Sequence, residues 1–303
     1  MTSLEESVSF TTLDRLNLRG TLYPAVSRGP AIIMTPGFNC VTSMLGLPDV
    51  AAEFQRKKYT TLLYDPRNIG SSEGQPRNDI DPVLQASDYS DAVTFLSSHA
   101  LVDPSRIYIW GMSFSAAVAL CTAAVDKRIR GVVAVAPLTD FTLTSDKRAK
   151  VLARCMQDRA SQVAGNEPFY LPTMTSSGEN PAGFGSGIDR EQYSKVVEAG
   201  KEIARGHVNR TTIQTYYKMI MWQPFSLWEI VTPTPVLFVV PELDQLSPPE
   251  RQKHHFTKMG EPKKLFVQEG VGHMEITEGS HLPSLVQVMV KFLEDAAAAA
   301  DAM

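Results

Sequence analysis

The chain has 303 residues, of which 43% are hydrophobic and 20% are charged, a composition that excludes a largely disordered protein. Its 29 Lys and Arg residues against 33 Asp and Glu residues give a formal net charge of −4, which excludes a strongly basic nucleic-acid-binding protein. The three cysteines are too few for a disulfide framework and none stands in a CxxC pair, which favours a reducing compartment.

Neither a signal peptide nor a membrane span is expected. The start, MTSLEESVSF, carries acidic residues where a secretory signal has a basic flank, and no stretch approaches the ~18 uninterrupted apolar residues of a span. We therefore expect a cytoplasmic protein that binds neither nucleic acid nor membranes.

Strand and helix patterns alternate along most of the chain. SVSFTTL and LNLRGTLYP predict an antiparallel hairpin with its turn near Asp14–Leu16. Short apolar runs predict buried strands at Ala31–Thr35, Thr60–Asp65, Arg106–Gly111, Gly131–Pro137, Pro235–Val240 and Lys264–Gln268. Helices are predicted at Asp49–Lys58, Pro82–Ala100, Phe114–Val125 and Pro283–Ala299. This alternation predicts an α/β fold with a mostly parallel sheet of about eight strands, flanked by helices.

The segment 140–230 interrupts the alternation and divides the predicted core into 1–139 and 231–303. It contains a loop rich in Gly, Pro, Ser and Thr, PTMTSSGENPAGFGSG, followed by helical patterns around Arg190–Arg205 and Thr211–Met221. We interpret this insertion as a lid, because long loops in compact domains tend to be functional. The alternative is a surface elaboration without a function.

The informative motif is Gly111-Met112-Ser113-Phe114-Ser115, which joins a predicted strand directly to an alanine-rich helix. A serine on so sharp a turn adopts an unusual backbone conformation and projects its hydroxyl above the sheet. The strand and the helix crowd together there, so the positions two before and two after the serine must be small. Ser113 is therefore the candidate nucleophile, and the alternative is a serine that merely caps the helix.

A serine nucleophile needs a base and a carboxylate that orients the base. Of the six histidines, His273 follows a predicted strand in the glycine-rich loop EGVGHMEI, at the same sheet edge as Ser113. Asp244 follows the preceding strand and is the candidate carboxylate. Glu242 and Asp140 are the alternatives for that role.

An oxyanion that forms during acyl transfer needs N–H donors already in place. One candidate is the backbone N–H of Phe114, directly after the nucleophile. The other is the N–H of Phe38, in the turn Thr35-Pro36-Gly37-Phe38-Asn39, where Gly37 keeps the chain close to the nucleophile.

These motifs give the chain a resemblance to the serine α/β-hydrolases over nearly its whole length. The shared features are the turn at Ser113, the Pro-Gly-Phe turn, YDPR after the fourth strand, and Asp244 and His273 in that order. LVDPSRIYIWGMSFSAA is similar to the dienelactone-hydrolase-like and peptidase-like branch, whereas TPTPVLFVVPELDQLSPPERQ and EPKKLFVQEGVGHMEI resemble the fungal polyketide transferases. Ser115 departs from the family pattern, which has glycine at this position.

The resemblance implies an enzyme of secondary metabolism that takes a polyketide acyl group from a synthase thioester. Ser113 would attack the ester or thioester carbonyl with His273 as base and Asp244 as orienting group, and water or an alcohol would resolve the acyl-enzyme. The substrate would be a small molecule or an acyl group on a carrier, such as that of a polyketide synthase. Hydrolysis and acyl transfer both stay open at this point.

The stretch Tyr216–Trp228, YYKMIMWQPFSLW, offers a soft apolar surface that suits a flexible acyl chain. The candidate pocket residues are Met112, Tyr216, Met219, Trp222 and Phe225. Packing of the insertion onto the core explains this pattern equally well.

Other chemistries find no support in the sequence. It has no HExxH motif, no Cys/His zinc spacing and no GxxxxGK[ST] loop, so neither a metal nor a cofactor is expected. A second hypothesis keeps the fold without acyl chemistry, and the pocket would then bind or cyclise an apolar metabolite.

Overall fold

The computed structural model describes residues 4–185, 192, 204 and 206–301. Its strands are β1 (Glu6–Thr11), β2 (Asn17–Tyr23), β3 (Gly29–Thr35), β4 (Thr60–Tyr64), β5 (Val102–Met112), β6 (Val132–Val135), β7 (Tyr170–Leu171), β8 (Thr211–Thr212), β9 (Val236–Pro241) and β10 (Lys263–Gln268). The helices within the described residues are α1 (Leu47–Arg56), α2 (Pro82–Ser97), α3 (Phe114–Val125), α4 (Ser145–Val163), α5 (Ile213–Met221), α6 (Phe225–Glu229), α7 (Pro249–Lys258) and α8 (Leu282–Asp301).

Eight of the strands form one sheet in the order β1-β2-β4-β3-β5-β6-β9-β10. The β1–β2 and β2–β4 pairs are antiparallel, and the five pairs from β4 to β10 are parallel. The predicted fold, with a mostly parallel eight-stranded sheet flanked by helices, is confirmed. β5 begins earlier than predicted, at Val102, because Val102 pairs with Gly29 at the start of β3, and the register shifts before the next pair, Ile107 with Ala31.

Apolar layers cover both faces of the sheet, as the uninterrupted apolar runs predict. Neighbouring residues of one strand point to opposite layers, so Ile33 joins the layer with α2 and α3, whereas Ile32 joins the layer with α1 and α8. α3 is buried from Phe114 to Ala124, because small side chains let it lie closely against the sheet. The parallel strands are therefore held rigidly, and their carboxyl ends meet at one edge.

The insertion contributes α4, α5, α6 and the two-stranded sheet of β7 and β8. It is tied to the core by hydrogen bonds, for example from Thr212 Oγ1 to Asp79 Oδ1 (2.6 Å) and from Trp228 Nε1 to Ala117 O (3.3 Å). The helix predicted around Arg190–Arg205 lies outside the described residues except for Gln192 and Ala204. Within the described residues, no helix is long and apolar enough to cross a membrane.

Candidate active site

The turn between β5 and α3 places Ser113 at the carboxyl edge of the sheet. Ser113 has φ 59° and ψ −119°, a conformation that costs a non-glycine residue on the order of 1–3 kcal/mol. A Cβ atom at Gly111 would lie 2.4 Å from the Ser115 carbonyl oxygen, so only glycine fits there. The Ser113 N–H donates to Val135 O at 2.9 Å, which ties the turn to the end of β6.

His273 and Asp244 come together in the loops after β10 and β9. His273 Nδ1 lies 2.8 Å from Asp244 Oδ2, and the two residues are only 2% and 3% exposed. Asp244 Oδ1 also accepts hydrogen bonds from the N–H groups of Leu246 (2.9 Å) and Ser247 (2.8 Å), and Gln252 Nε2 donates to Oδ2 at 2.9 Å. This fixed carboxylate favours the tautomer of His273 that carries its proton on Nδ1, which leaves Nε2 as a base.

The two alternative carboxylates are engaged elsewhere. Glu242 Oε2 accepts a hydrogen bond from the Gly270 N–H at 2.9 Å, and Asp140 Oδ2 forms an ion pair with Arg251 at 2.7 Å. Of the three candidates, it is Asp244 whose carboxylate is hydrogen-bonded to His273.

One cavity of about 130 Å³ is lined by both Ser113 and His273. Among the hydrogen bonds of the described residues, none joins Ser113 Oγ to His273 Nε2; such bonds are often long in enzymes without substrate. Cys40 also lines the cavity, but burial raises the pKa of its thiol to about 12. Its thiol therefore stays protonated at neutral pH, and Ser113 stays the candidate nucleophile of this cavity.

Both candidate oxyanion donors lie beside Ser113. A Cβ atom at Gly37 would lie 3.5 Å from Ser113 Cβ, so the turn after β3 packs against the nucleophile. The rings of Phe38 and Phe114 meet edge to face with their centres 5.7 Å apart. The Phe114 N–H is the first of α3, and in the described part of the chain neither this N–H nor that of Phe38 has an acceptor.

The comparisons with known proteins agree with this architecture. A model of the alpha/beta hydrolase family matches residues 32–282. The chain belongs to the α/β hydrolase family. This α/β hydrolase is 49% identical to a thiohydrolase of Eupenicillium brefeldianum, over 95% of this chain and 94% of that protein. It is 45% identical to the polyketide transferase ATR5 of Stachybotrys chlorohalonatus, over 95% of this chain and 96% of that protein.

A solved structure shows the same similarity. DcsB, in complex with its substrate analogue, matches this α/β hydrolase with a TM-score of 0.89 and 43% identity. The match covers 97% of this chain and 100% of that chain. The resemblance to the fungal polyketide transferases is confirmed.

Ser115 has a role in the hydrolase that its small size alone did not predict. Its side chain is buried, and Oγ accepts a hydrogen bond from the Met112 N–H at 2.9 Å. Oγ also lies 2.9 Å from Thr35 O and 3.0 Å from Met112 O, to either of which it can donate. Ser115 thus joins the ends of β3 and β5, the strands that lead to Phe38 and Phe114. In the sequence, the only sign of this role was that a serine stands where the family has glycine.

Of the five predicted pocket residues, the structure brings one to the cavity that Ser113 and His273 share. Met112 lines the cavity, but Tyr216, Met219, Trp222 and Phe225 do not. Tyr216, Met219 and Trp222 are buried in the core, where Trp222 packs its ring against Phe141 with centres 4.8 Å apart. Their burial favours the packing interpretation of this stretch. The sequence could not separate the two interpretations, because a helical apolar pattern looks the same whether it faces a ligand or the core.

Tyr216 and Phe225 contact different parts of the protein. The Tyr216 hydroxyl accepts a hydrogen bond from Asn180 Nδ2 at 2.8 Å, and its ring lies against that of Phe184. Phe225 stacks on His255 with ring centres 3.8 Å apart, and both residues line a different pocket. Tyr216 thus supports the wall, whereas Phe225 belongs to another surface.

The insertion contributes to the cavity through loop residues instead. These are Thr173, Met174, Gly178, Asn180, Phe184 and Gly185, together with His207. Asn180 organises this wall, since its Nδ2 also donates to Thr173 O (2.8 Å) and its Oδ1 accepts from the N–H groups of Ala182 (2.9 Å) and Phe184 (3.2 Å). Sequence reasoning missed these residues because loops carry no periodic pattern. Within the described residues, no cluster of three or more His, Cys, Asp or Glu side chains could hold a metal ion.

Proposed function

We propose that this α/β hydrolase is a serine enzyme that cleaves an ester or thioester and delivers the acyl group to water or an alcohol. The observation that carries the proposal is the buried Asp244–His273 hydrogen bond at a cavity that His273 shares with Ser113. Ser113 is the nucleophile, His273 the general base and acid, and Asp244 the group that orients the imidazole.

The reaction proceeds in two steps, acylation of Ser113 and then deacylation. Ser113 Oγ attacks the carbonyl carbon while its proton moves to His273 Nε2, and the tetrahedral intermediate expels the thiolate or alkoxide, which takes that proton. Water or an alcohol then attacks the acyl-serine, loses its proton to Nε2, and Ser113 leaves and is reprotonated. The N–H groups of Phe38 and Phe114 hold the negative oxygen in both steps.

The substrate class follows from the cavity and the relatives. The cavity walls are mostly apolar, with Met112, Leu138, Met174, Phe184, Leu246 and Met274 among them. Relatives carry the names thiohydrolase and polyketide transferase. We infer that the substrate is a polyketide-like acyl thioester of secondary metabolism, presented by a carrier such as a polyketide synthase. A cytoplasmic location stays a prediction.

The insertion 140–230 serves in this proposal as a cap on the core formed by 1–139 and 231–303. Seven of its residues line the cavity, which supports a role in admitting the acyl chain; they are Thr173, Met174, Gly178, Asn180, Phe184, Gly185 and His207. A cap that excludes water and admits an alcohol would favour transfer over hydrolysis.

The test is capture of the acyl-enzyme. The protein is mixed with acyl N-acetylcysteamine thioesters of several lengths, with and without alcohols, and both the products and the protein mass are measured. We expect Ser113→Ala to remove acylation and fluorophosphonate labelling and to lower kcat by at least ~10³-fold, with an unchanged circular dichroism spectrum. Ser176→Ala, an exposed serine of the insertion, is the control.

Substrate turnover without labelling at Ser113, or full activity of Ser113→Ala, would refute the mechanism. A protein that is neither labelled at Ser113 nor able to cleave any of the thioesters would favour the second hypothesis, in which the pocket binds or cyclises an apolar metabolite without an acyl-enzyme.

A further inference from the structure

The polar side chains of the cavity wall are mostly occupied by partners within the protein. Asn39 Nδ2 donates to Val208 O at 2.9 Å, and its Oδ1 accepts from Asn78 Nδ2 at 3.2 Å. Thr173 Oγ1 donates to Asn209 Oδ1, and the amide of Asn180 uses both its oxygen and its nitrogen. These residues build the wall and have little capacity left for a ligand.

His207 is different. Its side chain lines the same cavity as Ser113, and its imidazole has no hydrogen-bond partner among residues 4–185, 192, 204 and 206–301. The backbone around it is well anchored, since the His207 N–H donates to Ala204 O at 3.0 Å. The next carbonyl, that of Val208, accepts the hydrogen bond from Asn39, the neighbour of Phe38. His207 is therefore held beside the turn that carries Phe38, with an imidazole that has no hydrogen-bond partner in the described part of the chain.

The imidazole of His207 is uncharged at neutral pH, because burial lowers its pKa below the usual value. A neutral imidazole carries one N–H donor and one nitrogen acceptor. It can therefore donate to a ketone oxygen or accept from a hydroxyl.

A hydrocarbon chain in this cavity would displace water from His207 and leave the imidazole unpaired. An unpaired polar group costs a binding site far more than a missing apolar contact, so such a site discriminates strongly. We propose that His207 is a specificity-determining residue whose imidazole binds a hydroxyl or ketone oxygen on the acyl chain of the substrate. The cavity then selects oxygenated acyl groups over hydrocarbon acyl groups of equal length. This inference rests on the proposed acyl chemistry at Ser113.

The test compares matched acyl thioesters of one chain length, either unsubstituted or with one hydroxyl at carbon 3, 5 or 7. We expect the wild-type protein to prefer one hydroxylated isomer by about tenfold or more in kcat/KM. His207→Leu should lose that preference, mainly through a higher KM for the hydroxylated isomer, and should turn over the unsubstituted chain at least as well. His207→Gln keeps a donor and an acceptor and should retain much of the preference.

His254→Leu, at an exposed histidine on α7, is the matched control and should leave kcat/KM unchanged for both the hydroxylated and the unsubstituted thioester. Equal losses of kcat on both substrates in His207→Leu would overturn the proposal, because they indicate a structural role. A wild-type protein that is acylated by every thioester without preference would overturn it while the proposed function stands. A wild-type protein that is acylated by none of them would overturn the proposed function, and with it the role of His207.

Discussion

The two sides of the cavity are built in different ways. On one side, Ser113, Asp244 and His273 stand at the ends of strands whose backbone pairing and buried faces hold them in place. On the other side, the loops around Asn180 and His207 are held largely by side-chain hydrogen bonds. Under the proposed function, the sheet would set the geometry of the reacting groups, whereas the insertion would set which acyl chain fits. Substitutions on the first side should therefore change kcat, and those on the second side KM.

The largest expected effect that tests this comparison is that of Asp244→Asn. An amide in place of the carboxylate disturbs the tautomer of His273 and no longer stabilises the imidazolium, so kcat should fall by about 10⁴-fold with little change in KM. Glu242→Gln, in the same loop, is the control and should leave kcat within about twofold. Steady-state kinetics with one acyl thioester measures both. Equal losses in the two variants would show that the loop as a whole, and not the Asp244 carboxylate, orients the base.

A smaller effect on the same side is expected for Ser115→Ala. The change leaves the Met112 N–H without its acceptor and removes a link to Thr35 O, so the free energy of unfolding should fall by about 1–3 kcal/mol. The two proposed oxyanion donors follow these strand ends, and we expect kcat to fall about tenfold with KM nearly unchanged. Urea unfolding and kinetics measure the two effects.

Two further variants show whether the Ser115 hydroxyl is the cause of these effects. Ser115→Gly, which restores the family pattern, should lose the same hydrogen bonds and behave like Ser115→Ala, if the hydroxyl and not the size of the side chain matters. A lower stability with unchanged kcat would confine Ser115 to a structural role. Ser105→Ala, at an exposed serine, is the control for stability.

The smallest effect is expected on the insertion side, for Asn180→Ala. The Asn180 amide holds Thr173 O, the Tyr216 hydroxyl and the Phe184 N–H, so its loss should loosen the wall and raise KM several-fold, about three- to tenfold. We expect kcat to change by less than about twofold, because the reacting groups belong to the sheet. Asn166→Ala is the matched control, since the side-chain amide of Asn166 donates to Ser161 Oγ at 3.1 Å at an exposed site. A fall in kcat as large as the rise in KM would contradict the assignment of kcat to the sheet side and of KM to the insertion side.

The elements that position the site could be predicted closely from local patterns. The helix predicted at Phe114–Val125 has the same bounds in the structure, because the small residues after Ser113 allow close packing and a polar Asp126 ends the apolar run. The strands followed from apolar runs, since a strand covered on both faces leaves no polar alternation. Asp244 and His273 could be placed at one edge because both follow parallel strands, and the structure joins them at 2.8 Å.

The cavity wall could not be predicted in this way. Tyr216 and Trp222 lie on or beside an apolar helix face, and periodicity is identical for a face that meets a ligand and one that meets the core. Asn180 and His207 lie in loops, whose conformation depends on distant partners such as Tyr216 and Asn39.

The amino-acid sequence by itself determined the α/β fold, the turn at Ser113 and the strand ends that carry Asp244 and His273, because these depend on local hydrophobic patterns and on steric limits of the backbone. Only the tertiary structure decided that Asp244, and neither Glu242 nor Asp140, meets the imidazole, and that loop residues of the insertion close the cavity. Those outcomes depend on side chains distant in sequence reaching hydrogen-bond distance, and no local pattern encodes that distance.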